Sequence, residues 1–127
     1  IADEVGNGKI NDPLVQQDLT LEESRFSANS KADFADNIRS IKNMYTGVFG
    51  TFGDGKAVSD IIKEKNAAVD AEVIAEIDAA INAIETIPGT FSDAVLNNAA
   101  TVSAAQQAVR DLQSTFEEKV LPIISNL

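Results

Sequence analysis

At 127 residues and 44% apolar content, the chain is long enough for one domain with a modest core and too short for a second. Twenty Asp and Glu against ten Lys and Arg give a net charge of -10, a field that repels phosphate backbones and anionic lipid and argues against nucleic-acid binding. Cys and His are both absent, which removes disulfides, thiolate metal sites, a Cys nucleophile and any Ser-His-Asp triad.

The apolar residues are largely Ala, Ile and Val, with no Trp and only six Phe and one Tyr, a composition suited to closely packed helices. The acids are spread along the chain rather than gathered into a tail, so solubility is their ordinary use. No apolar run approaches the roughly 20 residues of a transmembrane span. The chain opens on Ile1 rather than Met. It is therefore expected to be a processed or trimmed piece, with any signal or lipid anchor upstream.

In chain order, residues 1–5 predict the tail of a helix that Gly6-Asn7-Gly8 would end. Residues 11–30 hold no sustained period, only Pro13, scattered acids and small polar groups, and predict an ordered loop crossing the domain. The first 30 residues are thus expected to be an irregular leader and residues 31–127 a helical bundle.

Ser30 followed by Asp33 is a capping-box pattern, and behind it Phe34, Ile38, Ile41 and Tyr45 recur at steps of four, three and four. About 100° round the same helix, Asp33, Asn37 and Ser40 form a second stripe made wholly of hydrogen-bonding side chains. The helix should stop near Thr46, because Gly47, Gly50, Gly53 and Gly55 follow closely.

Val58, Ile61 and Ile62 predict a short helix, and Asn66 an N-cap for the next. Val69, Val73, Ile77, Ala80, Ile84 and Ile87 then alternate steps of four and three, the spacing of a bundle seam, and Pro88-Gly89 stops it. Thr90 and Asp93 cap a short helix that breaks at Asn97-Asn98. From Val102 through Ala105, Val109, Leu112, Phe116, Val120 and Ile123 to Leu127 a last seam runs to the end, with Pro122 bending its final turn. The fold class expected is all-α, an up-and-down bundle of about four helices behind an irregular N-terminal segment.

Glu23-Ser24-Arg25-Phe26-Ser27, Asp33-Phe34, Asn37-Ile38-Arg39-Ser40-Ile41 and Tyr45-Thr46-Gly47 resemble the second half of imelysin-like proteins, a bacterial extracytoplasmic family. The likeness continues more loosely through Gly55-Lys56-Ala57-Val58-Ser59-Asp60 and the helices that follow. It implies a protein of two bundle-like halves, a Gly-x-His-x-x-Glu motif in the first half, and a site between the halves. That motif is absent here, since the chain has no histidine. The resemblance also implies an extracytoplasmic location, periplasmic or on a surface lipoprotein, and a link to iron uptake or to peptidase activity.

The site residues it points to are Glu23, Ser24, Arg25 and Ser27 on the leader, and the Asp33, Asn37 and Ser40 stripe, with Tyr45 added if its hydroxyl escapes the core. For Asp33 alone, capping its own helix is the simpler explanation. For Asn37 and Ser40, a structural hydrogen-bond network weighs about as much as a functional surface. No catalytic and no metal-ligating residue is expected in this chain; iron or another divalent metal belongs to the full-length protein, and the expected partner is the histidine-bearing N-terminal half.

Other chemistry fares worse. Gly50 to Lys56 matches a phosphate-binding loop only as far as the lysine, where Ala57 replaces the required hydroxyl and no strand precedes. Glu72 and Glu76 share a helix face and are expected to be solvated, and no Asp-rich run has EF-hand spacing. The alternative to the imelysin-like reading is a free-standing helical interaction module with no enzymatic role.

Overall fold

The computed structural model describes residues 1–52 and 55–127. Gly53 and Asp54, which belong to the glycine-rich stretch and to the phosphate-loop-like match, lie outside the described residues. A π turn, Glu4–Ile10, runs directly into α1 (Asn11–Gln16). Then follow α2 (Ser30–Thr46), α3 (Val58–Lys65), α4 (Ala67–Glu85), α5 (Phe91–Asn97) and α6 (Ala99–Thr115). A second π turn, Phe116–Val120, leads into α7 (Leu121–Ser125). Among the described residues there is no strand, only an isolated bridge between Phe49 and Phe52, so the fold is all-α as the periodicity requires.

The bundle is built around α4, which packs against α2 on one side and α6 on the other, while α6 carries the N-terminal helix. The return contact between that helix and α2 is slight. The predicted α4 seam is the core: Val69, Val73, Ile77, Ala80, Ile84 and Ile87 are all buried, facing Val102, Ala105, Val109 and Leu112 from α6. At about 1.5–3 kcal/mol for each fully buried Ile, Leu or Val side chain, this seam dominates the stability of the fold. Phe34 of α2 meets Phe91 of α5 edge to face at 5.2 Å, joining the starts of these two helices.

Local chemistry sets the helix ends. Gly47 takes a left-handed φ of 67° after α2, where a β-carbon would lie 2.8 Å from that of Ala57. The Asn66 side chain accepts from the amides of Ala68 and Val69, and Thr90 Oγ1 accepts from Asp93 N at 3.1 Å, both as N-caps.

Three expectations need correction. Gly6 and Gly8 do not end a helix but lie inside the first π turn. Gly6 is small because α6 comes close: a β-carbon there would stand 3.2 Å from Val109 Cγ1, and the Gly6 carbonyl accepts from Gln106 Nε2 at 2.9 Å. Helix then continues to Gln16, with Pro13 tolerated in the first turn of α1, so the irregular stretch is residues 17–29. At the other end, the helical run is unbroken from Ala99 to Ser125 and loosens before Pro122 as expected, but the seam does not reach the last residue. Pro122 has no amide proton and its ring crowds the preceding turn. The ladder widens just before it, with Leu121 N–H donating to the Phe116 carbonyl, and Leu127 ends 66% exposed instead of completing the seam.

Candidate functional site

Between α1 and α2 the chain makes two short 3-10 turns, Leu19–Leu21 and Arg25–Ser27. Ser24 and Ala28 bracket the second with left-handed φ values of 61° and 54°, a geometry non-glycine residues hold only when surroundings fix it. The fixing group is Glu22, 8% exposed. Its Oε2 accepts from Ser92 Oγ of α5 at 2.5 Å, and its Oε1 lies 2.6 Å from Ser30 Oγ at the start of α2. Ser30 Oγ is also 2.5 Å from the Glu23 carbonyl, so its single proton is shared between two acceptors.

On this anchored turn, Ser24 Oγ donates to Asp33 Oδ2, a short contact, while Asn29 Nδ2 donates to Asp33 Oδ1 at 2.6 Å. Ser27 Oγ donates to the Ser24 carbonyl at 2.9 Å. Asp33 therefore does not form the expected capping box with Ser30: the residue before α2 is Asn29, and Ser30 turns inward to Glu22. Glu23 pairs with Lys9 at 3.0 Å. Burial pulls the Lys9 ammonium pKa down, but the Glu23 and Glu4 carboxylates outweigh it and hold it above the ordinary lysine value. Arg25 and Phe26 are exposed, Phe26 fully, and among the described residues the Arg25 side chain has no hydrogen-bond or ion-pair partner.

The remaining predicted residues are not drawn into this cluster. Asn37 and Ser40 are half-buried on the Asp33 side of α2, and Ser40 Oγ donates only to the Asn37 carbonyl, at 2.7 Å. Tyr45 lies three turns on, about 18 Å along the helix from Asp33. Its hydroxyl does not escape the core: the residue is 3% exposed, and it donates to Asp70 Oδ1 at 3.0 Å. Burial first, then Asp70, push its pKa well above the usual phenol value.

As a metal site the cluster does not fit. Both oxygens of Asp33, and both of Glu22, are already taken by neutral donors. Among the described residues no three His, Cys, Asp or Glu side chains converge. What the arrangement supplies is a rigid turn with an outward arginine beside a hydrogen-bonded carboxylate. Glu22, Ser92 and Lys9 are not marked by the sequence, and Ser30 is marked there only as a helix cap. Their partners lie up to 70 positions away, and only the buried serine at a helix start carried a hint.

No curated protein matches the chain significantly. Among solved structures, an imelysin peptidase from Bacteroides ovatus superposes with a TM-score of 0.85 at 29% identity, covering 98% of this chain and 37% of that one. A protein from Parabacteroides distasonis named as an iron-regulated protein A precursor superposes at 0.78 and 29% identity, covering 91% of this chain and 36% of its own. The chain thus spans little more than a third of the length of these relatives. The imelysin family model matches residues 1–116, and with that match over most of its length the chain belongs to the imelysin family.

Proposed function

We propose that this chain is the C-terminal bundle half of an imelysin-type extracytoplasmic protein and forms one wall of a site between two halves, not catalytic by itself. The observation that carries this is the Ser24–Asp33 pair, held on a strained turn by buried Glu22. A turn built only to connect two helices has no need of two left-handed residues and a buried carboxylate. The histidine-bearing half supplies the metal ligands; Ser24, Asp33 and Arg25 orient what is bound there, and Asn37 and Ser40 extend the wall along α2. The link to iron rests on the name of one structural relative and the link to peptidase activity on the name of the other.

The test is co-expression of this chain with a histidine-bearing imelysin half, followed by iron titration of the purified pair. A one-to-one complex whose iron affinity falls at least tenfold in Asp33→Asn or Ser24→Ala supports the reading. A complex whose affinity neither variant changes removes this wall from the site.

A further inference from the structure

Asp33, Asn37 and Ser40 continue by another step of four to Met44, so the polar stripe of α2 ends in an apolar residue on the same face. Met44 is 62% exposed. Beside it a groove of about 200 Å³ opens between α2 and the chain after α6, lined by Ile41, Met44, Phe116, Val120 and Ile124 among others. The groove runs on past Phe116 to Leu121, which is 56% exposed. Directly after α2, the turn bridged by Phe49 and Phe52 leaves both rings mostly exposed, at 72% and 76%. Large apolar side chains left exposed around a groove are a mark of protein contact surfaces.

We infer that this groove is the docking seat of an apolar helix from the other half of the imelysin-type protein, and that it holds the two halves together while the polar end of the same α2 stripe faces the site. The inference rests on the two-half reading above and adds where the halves join. Two observations favour that occupant. The groove is continuous with the Asp33–Ser40 stripe on one helix face, so a single partner covers both. The solved relatives, at 29% identity over nearly all of this chain, carry almost two thirds of their length beyond the matched part. A second copy is disfavoured by a net charge of -10 on each chain, and the same charge repels an anionic bilayer. The chemistry is that of a helix laid in a groove, with apolar anchors three and four residues apart.

The test is isothermal titration of this chain with a separately expressed histidine-bearing imelysin half, comparing wild type with Met44→Glu, Leu121→Glu and Asp33→Asn. Met44 and Leu121 are largely exposed, so both variants should keep the wild-type circular dichroism and melting point. The expected result is at least tenfold weaker association for Met44→Glu and Leu121→Glu, and a clearly smaller loss for Asp33→Asn. Association weakened by Asp33→Asn but untouched by the two groove variants overturns this inference and leaves the two-half reading standing. No association at all removes both. Light scattering that shows a homodimer abolished by Met44→Glu, or flotation with phosphatidylglycerol vesicles lost in Leu121→Glu, overturns it by giving the groove to a second copy or to lipid.

Discussion

Tyr45 at the end of α2 donates its hydroxyl to Asp70 in the first turn of α4, and the same Asp70 oxygen accepts Ser59 Oγ from α3 at 2.6 Å. One buried carboxylate thus ties three helices together. Removing it leaves the buried Tyr45 hydroxyl and the half-buried Ser59 hydroxyl without this acceptor. Asp70→Ala is expected to cost about 2–4 kcal/mol in urea unfolding, and Tyr45→Phe, which removes one donor and leaves Ser59 in place, only about 1 kcal/mol. Equal losses would mean that the Ser59 hydrogen bond contributes nothing to stability.

The Gly47 turn holds two penalties that can be separated. Gly47→Ala meets both a positive φ of 67° and the Ala57 β-carbon 2.8 Å away. It should lose about 2–3 kcal/mol, of which about 1–2 belongs to the left-handed backbone. Introduced into an Ala57→Gly background, the same substitution should cost only the backbone share. A double-mutant cycle on thermal unfolding measures the difference, and strict additivity would show that no clash occurs.

Glu76 has one carboxylate oxygen buried without a partner. Burial is the main force raising its pKa above the ordinary value of 4.5; nearby Glu72 and Asp111 add to it, and Thr115 and Lys119 work against it. A carboxyl group whose pKa is raised on folding binds protons more readily folded than unfolded, so its contribution to stability falls as pH rises through that window. Glu76→Gln should therefore raise the melting point at pH 7 and give a smaller gain at pH 4, where protonation of the wild-type group already relieves most of the buried charge. A gain independent of pH would point to packing rather than charge.

Glu22 is predicted to control the leader turn more than the global fold. In Glu22→Gln, an amide nitrogen replaces one of the acceptors now used by Ser30 and Ser92. Amide exchange in residues 22–28 should accelerate at least tenfold, while the α4 and α6 amides stay within about twofold of wild type. Uniform acceleration across the chain would mean that the anchor is part of the global core.

What could be read from the sequence was what is written locally. The α4 seam, the Asn66 and Thr90 caps and the Gly47 stop each depend on residues within a turn or two, and periodicity or cap chemistry exposes them. Gly6 was misread because its smallness answers to Val109, a hundred positions away. Glu22 was passed over for the same reason: nothing adjacent to it announces Ser92. In the candidate site, Ser24 and Asp33 do meet, whereas Tyr45 shares their helix but not their environment, because helical phase fixes a residue's face and not the distance along the axis.

The π turn before Pro122 holds one residue more than the α-helical turn it replaces. Closing this ladder into a regular α-helix with all its residues kept would rotate everything after it by about 100°. Leu121 and Ile124 would swing out of the groove, while Val102 to Leu112 stayed where they are. The composition of that surface is therefore a matter of phase as much as of side chains. A change of hydrogen-bond register within one turn, which alters no side chain at all, would suffice to take the groove apart.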